Sequence, residues 1–414
     1  MKVSGDRRKW TTLLAAAAAW SRLPVADASG STAENAAPVP TLLRTARRDT
    51  PPLQIYVLVG QSNMQGHGYV DAREEDGASF RNGTLEWMVE TYPSAYGRLK
   101  NKDGTAWAVR DDVYVAYNRQ DGGTVRPEWS TSHGFLTAGF GGDPGQEGHQ
   151  MGPELGFGWA VGDHHSSERS EHQAGARASP PAVLLLKVAW GGKSLAVDFR
   201  PPSSGGTTGL YYEAVLATVW RALGSLEGVI PGQWPGRTYE LAGFAWHQGW
   251  NDGCNKTMAA EYESNLANLV RDVRADLGVP DLPFVVGVSG MNGWKNRTQT
   301  QTQIQTQMQT RTQAEALVDG QLAVVIDAQL AVGNPSVYPE FAGTVESVET
   351  RGFFREPRPA SPGDQVYHWN NNCESYWKVG AAMGEAMIGL LRTKPKHGLL
   401  PRHQAKQVHE LLSR

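Results

Sequence analysis

Four short clusters carry the side chains of this 414-residue chain that are suited to chemistry. The first, Gly60-Gln61-Ser62-Asn63-Met64, directly follows an apolar run. A serine there lies at the carboxyl end of a strand, where open α/β sheets build their sites, and becomes a nucleophile once a base can take its proton. It can equally cap the next helix, and the pattern is not a Gly-x-Ser-x-Gly elbow. The second cluster is Trp190-Gly191-Gly192-Lys193-Ser194. Paired glycines let a backbone approach a ligand closely, and an N–H from such a turn can face a developing oxyanion; the bland alternative is a plain turn. In the third, His247-Gln248-Gly249-Trp250-Asn251-Asp252, Asn251 or Gln248 can donate an amide N–H to the same oxyanion, while His247 and Asp252 can brace the loop. His247 is also a candidate base, but His368 in Gly363-Asp364-Gln365-Val366-Tyr367-His368-Trp369-Asn370, just ahead of the last helix, is better placed to take the proton of Ser62 and return it to a leaving group.

The elements that must position these clusters alternate in type. Leu53 to Val59, Ala182 to Trp190, Tyr239 to Trp246, Pro283 to Val288 and Leu322 to Ile326 read as strands. Gly152 to Val161, Tyr212 to Leu226, Met258 to Leu277 and Glu374 to Leu391 read as helices. Short apolar strands separated by helices imply an α/β fold, a three-layer α/β/α sandwich around a parallel sheet. Residues 66–150, polar, Gly-rich and aromatic, read as a long insertion or lid after the first strand. His164 to Pro181, with His164, His165 and His172, reads as a solvated loop rather than a metal site, and 298–313 as a Thr/Gln low-complexity insertion.

With 40% hydrophobic and 20% charged residues the chain has material for a packed core, and a net charge of −3 gives no basic surface suited to nucleic acid or anionic lipid. Residues 1–28 read as a signal peptide, with Lys2, Arg7, Arg8 and Lys9 before the apolar stretch Thr11 to Trp20 and Ala26-Asp27-Ala28 as the cleavage site. The expectation is a secreted protein with a flexible leader at 29–51, a folded domain at 52–393 and a polar tail at 394–414. No later segment offers about twenty unbroken apolar residues, so no membrane partner is expected after signal removal.

Taken together and in this order, the four clusters resemble the SGNH hydrolases, and within them the sialate O-acetylesterase-like and carbohydrate esterase family 6 group, over most of Leu53 to Leu391. The resemblance implies a flavodoxin-like sandwich and a serine esterase without metal or organic cofactor, acting on O-acetylated carbohydrate. It implies Ser62 as nucleophile, His368 as base, and an oxyanion hole from the Ser62 and Gly192 backbone with Asn251 and Gln248. Two departures stand out. The family's last block is usually Asp-x-x-His, whereas here Gln365 lies three before His368 and the nearest acid, Asp364, four before. Asp364, Glu374, a backbone carbonyl or no group at all then completes the triad. Trp250 stands where related sequences commonly carry Glu. If the third and fourth blocks meet at one site, as the resemblance implies, Cys254 and Cys373 can pair as a disulfide; the alternative is two unpaired thiols. Of the fourteen tryptophans, Trp190, Trp246, Trp250 and Trp369 adjoin the clusters, and at most two are expected to touch substrate. A lipase or thioesterase on the same scaffold and a catalytically silent sugar-binding protein are the rival readings.

Overall fold

A computed structural model describes residues 51–75, 78–119, 132–170, 181–234, 238–295 and 313–393, all within one compact unit, Ala46–Lys396. The readings of 1–28 and of the leader up to residue 50, of the Thr/Gln tract up to residue 312 and of the tail at 394–414 lie outside these residues.

The main sheet has seven strands: β1 (Leu53–Gly60), β2 (Arg110–Arg119), β3 (Ser132–Leu136), β4 (Val183–Ala189), β5 (Tyr239–His247), β6 (Phe284–Gly287) and β7 (Val345–Val348), in spatial order β7-β6-β5-β1-β4-β2-β3. All neighbours pair in parallel except β2 with the edge strand β3. The period-2 alternation of β1 sorts its side chains to two faces. Leu53, Ile55, Val57 and Val59 pack with helices α3 (Leu210–Gly224), α5 (Lys256–Leu277) and α6 (Gln313–Val332). Tyr56 and Leu58 pack with α2 (Pro153–Ser170) and α7 (Cys373–Thr393). The result is the three-layer sandwich that the alternating pattern implies.

Three expectations are corrected. Leu322 to Ile326 is helix, not strand: it lies inside α6, and the buried residues Leu322, Val325, Ile326, Gln329 and Val332 recur at helical spacing while Val324 is exposed. The β-branched run concealed that period. Residues 66–150 are not only an added layer, because Arg110–Arg119 is inserted between β4 and the edge of the main sheet and Ser132–Leu136 forms that edge. Of the expected loop at His164 to Pro181, His164–Ser170 are the last turns of α2, and 171–180 lie outside the described residues.

Candidate active site

The site follows from strand register. Gly60 is level with Ala189 on one side and with His247 on the other, so the turns leaving β1, β4 and β5 emerge together at one edge of the sheet. Gly60 allows the approach: a Cβ there would stand 2.1 Å from the His247 carbonyl oxygen. From these ends come Ser62, first residue of the short helix α1 (Ser62–Gln65), the Gly191-Gly192 turn, and α4 (Trp250–Gly253) with Asn251. Gly191 faces Ser62, whose Cβ lies 3.8 Å from where a Gly191 Cβ would be. Gly192 has φ +69°, a conformation glycine adopts without strain.

Gln61 joins the first block to the third. Its Nε2 donates to Asn251 Oδ1 (2.8 Å), and its Oε1 accepts from the backbone N–H groups of Gly249 (3.2 Å) and Asn251 (3.4 Å). This fixes which end of the Asn251 amide is which. Its Nδ2 finds no acceptor among the described residues, and the backbone N–H groups of Ser62 and Gly192 donate to none. These are three unspent donors on the turns that leave β1, β4 and β5.

Gln248 is not a fourth, contrary to the expectation. Its Nε2 already donates to the Lys193 carbonyl (2.9 Å) and to Asp252 Oδ2 (2.6 Å), and its Oε1 accepts from the Tyr262 hydroxyl (2.9 Å). Asp252 does brace the loops: its carboxylate accepts from the N–H groups of Leu195 and Ala196, both at 2.9 Å, just beyond the Gly-Gly turn. Burial lifts its pKa to about 6 against those hydrogen bonds. The corrected helix α6 contributes here too, since Gln329 Nε2 donates to the Gln248 carbonyl (2.6 Å). His247 is fully buried, with Nδ1 on the Gly287 carbonyl (2.8 Å), and belongs to the sheet rather than to the site.

His368 arrives on the loop before α7. Asn63, next to Ser62, donates from Nδ2 to the carbonyl of Tyr367, next to His368 (2.8 Å). Tyr376 of α7 donates to Asn63 Oδ1 (2.9 Å) and to the His368 carbonyl (3.3 Å). After His368 the chain turns sharply: Trp369, Asn370 and Asn371 have φ of +53°, +53° and +58°. Left-handed backbone costs roughly 1–2 kcal/mol per residue, least for Asn. Here Trp369 is anchored by complete burial, Asn370 Nδ2 donates to the Arg355 carbonyl (2.9 Å) and Asn371 Nδ2 to the His67 carbonyl (2.9 Å). Asn372 then caps α7, its Oδ1 accepting from the N–H groups of Glu374 (3.0 Å) and Ser375 (3.2 Å).

Of the possible orienting groups, the structure brings Gln365 to the imidazole: Oε1 lies 3.2 Å from His368 Nδ1. Asp364 is exposed and makes no hydrogen bond or ion pair among the described residues. Glu374 is taken up by Arg355 (2.7 Å) and Lys378 (2.6 Å). With Nδ1 facing an amide oxygen, the proton sits there and Nε2 is the basic nitrogen. Neither Nε2 nor Ser62 Oγ is engaged by another described group. The His368 face is stacked on His67, with centroids 4.0 Å apart and planes 9° apart, and its edge meets Tyr367.

Burial lowers the pKa of His368 to about 3, helped by His67 and opposed by Asp143. Burial penalises the imidazolium, so the neutral, proton-accepting form persists far below the usual histidine range. The acid limb of kcat/KM is therefore expected below pH 5; initial rates on a soluble aryl acetate from pH 4 to 8 test this, and a limb between pH 6 and 7 would contradict it.

The expected disulfide is absent: Cys254 and Cys373 are both free. Cys373 is buried, its Sγ directed at the Tyr69 carbonyl (2.9 Å), whereas Cys254 is exposed at the end of α4. Of the four tryptophans near the clusters, Trp190, Trp246 and Trp369 are core, and Trp250 alone is partly exposed, 5.8 Å from the Tyr367 ring.

Several residues of the site went unread in the sequence. Gln61 lay inside a quoted motif, but its amide has no signature of its own. Lys187 did carry a signal, being a charge inside the apolar run Val183–Ala189. It is fully buried and donates to Glu154 (2.6 Å) and to the carbonyls of Gln65 (2.6 Å) and Phe140 (2.8 Å), which pins the end of α1.

A serine, a neutral histidine and unspent N–H donors at level strand ends suit acyl transfer to water, and the fold carrying them is a three-layer α/β/α sandwich. Residues 145–333 match the family described as SASA: carbohydrate esterase, sialic acid-specific acetylesterase. That span contains Gly192 and Asn251, with Ser62 before it and His368 after it. Over that stretch the chain is similar to this family of carbohydrate esterases. Among solved structures it is similar to a protein from Arabidopsis thaliana (16% identity over 82% of this chain and 98% of that one, TM-score 0.46). It is also similar to a carbohydrate acetylesterase from Xanthomonas citri (14%, 82% and 57%, TM-score 0.44) and to NanS (14%, 59% and 69%, TM-score 0.34). No curated protein matches the sequence.

Proposed function

We propose that this chain removes O-acetyl groups from carbohydrates through an acyl-enzyme. Ser62 Oγ attacks the ester carbonyl while His368 Nε2 takes its proton. The tetrahedral oxyanion is received by the N–H groups of Ser62 and Gly192 and by Asn251 Nδ2. The imidazolium then protonates the departing sugar oxygen, and water, deprotonated by the same nitrogen, releases acetate and restores Ser62. The observation that carries this reading is the Asn63–Tyr367 hydrogen bond of 2.8 Å, which joins the neighbour of the nucleophile to the neighbour of the base. The basic, then apolar start of the chain supports an exported enzyme meeting its glycan outside the cytoplasm.

The test is acetate release by the purified chain from p-nitrophenyl acetate, acetylated xylan and O-acetylated sialic acid. Release from either carbohydrate is the expected result. Turnover only of longer acyl esters would favour a lipase or thioesterase, and sugar binding without any ester turnover would favour a binding protein.

A further inference from the structure

Resting on that reading, we propose that His67 is a positioning residue for His368, its ring face holding the base in line and lying against the imidazolium that forms during acyl transfer.

The argument begins with what His368 lacks. A carboxylate at Nδ1 would both orient the ring and offset its charge after proton transfer. Here Nδ1 meets only the neutral amide of Gln365, at 3.2 Å, and Asp364 makes no contact with the ring. Something else has to fix the plane of the ring, and His67 lies against its face at 4.0 Å and 9°. Rings that lie parallel at this separation leave the partner little freedom to tilt. A cation over a neutral aromatic face is also favoured relative to one over aliphatic surface.

His67 is itself held firmly. It lies five residues beyond Ser62, just after α1, and is 9% exposed. Its carbonyl accepts from Asn371 Nδ2 (2.9 Å), three residues beyond His368. One residue thus ties the nucleophile's helix to the base's loop. The charge state is also suitable: burial, reinforced by Lys187, lowers the pKa of His67 to about 4, so its ring is neutral at neutral pH and does not repel the imidazolium. A protonated ring at the same place would.

The experiment compares His67→Phe, which keeps a flat aromatic face, with His67→Gln, which keeps a hydrogen-bonding group and loses the ring. Both are assayed for kcat and KM on p-nitrophenyl acetate and for the rate at which diisopropyl fluorophosphate modifies Ser62, with Tm and near-UV circular dichroism as controls of folding. The expected result is His67→Phe within about 3-fold of the parent in kcat and His67→Gln at least about 10-fold slower, KM unchanged in both, and the modification rate following kcat. His67→Gln near parental activity overturns the proposal, as does a folded His67→Phe that is as slow as His67→Gln. If His67→Phe does not fold, His67→Gln decides alone. Failure of the underlying reading is separately visible, because His368→Ala would then keep its activity whatever the His67 variants do.

Discussion

Ser62→Ala is expected to lower kcat by about 10⁴-fold or more with Tm almost unchanged, since a nucleophile has no substitute in an acyl-enzyme route. The Ser62 hydroxyl makes no hydrogen bond to another described group, so its removal leaves no buried partner unsatisfied. His368→Ala is expected to fall by a similar factor, and the double variant to be little worse than either single one, because residues that act in one proton transfer are lost as a unit. Acetate release under substrate saturation, with circular dichroism on the same samples, is the measurement. Losses that multiply in the double variant would mean that the two side chains do not act in the same step.

The second large effect concerns stability. Lys187→Met is expected to destabilise the fold by ~3–5 kcal/mol, the usual consequence of stranding one member of a buried ion pair. Both Lys187 and Glu154 are 0% exposed, and the ammonium also serves two carbonyls, so the substitution leaves a buried carboxylate without its counter-ion, held only by the Gly152 N–H (2.9 Å), and takes a donor from each carbonyl. Joining it with Glu154→Leu removes the stranded charge and should restore part of the loss. Chemical denaturation of the two variants checks this; a double variant no more stable than the single would show that the ion pair is not the source. Activity should fall in the single variant as well, since Lys187 fixes the Gln65 carbonyl at the end of the helix that begins with Ser62.

What could be read from the sequence was decided by how local the signal is. Four of the five strands and all four helices read from periodicity are present, because burial on one or two faces writes a repeat into consecutive residues. The Leu322 to Ile326 run failed because Leu, Val and Ile serve a buried helix as well as a strand, and only the later Gln329 and Val332 reveal the longer period. β2 was missed because its polar flanks hide an apolar centre, Val113 to Tyr117, that is covered on both faces only in the folded sheet. At the site, side chains that face solvent or ligand stand out as polar residues after apolar runs, as they do in the four clusters. Their partners do not stand out. Gln61 and His67 act through contacts with residues more than 180 positions away, and no spacing within one chain encodes such a meeting. Gln365 was noticed only as the residue in the place of an acid, and Gln248 and Asn251 are two amides in one motif whose opposite uses depend on which neighbours occupy them.

The long excursion after Ser62 bears on how such a chain can change length. It supplies β2 to the main sheet, the Phe140 carbonyl to Lys187, Asp143 to the Gln65 amide (3.1 Å) and the Gly142 N–H to the Gly66 carbonyl (2.6 Å). Trimming it as a dispensable module would bare the flank of β4, leaving a row of unpaired backbone groups open to another chain, and would remove one of the carbonyls that surround the buried lysine. Changes of length in this part of the chain are therefore expected to be tolerated only in the turns between these four attachments, and a chain that lacked the β2–β3 pair would have to seal the side of β4 by other means.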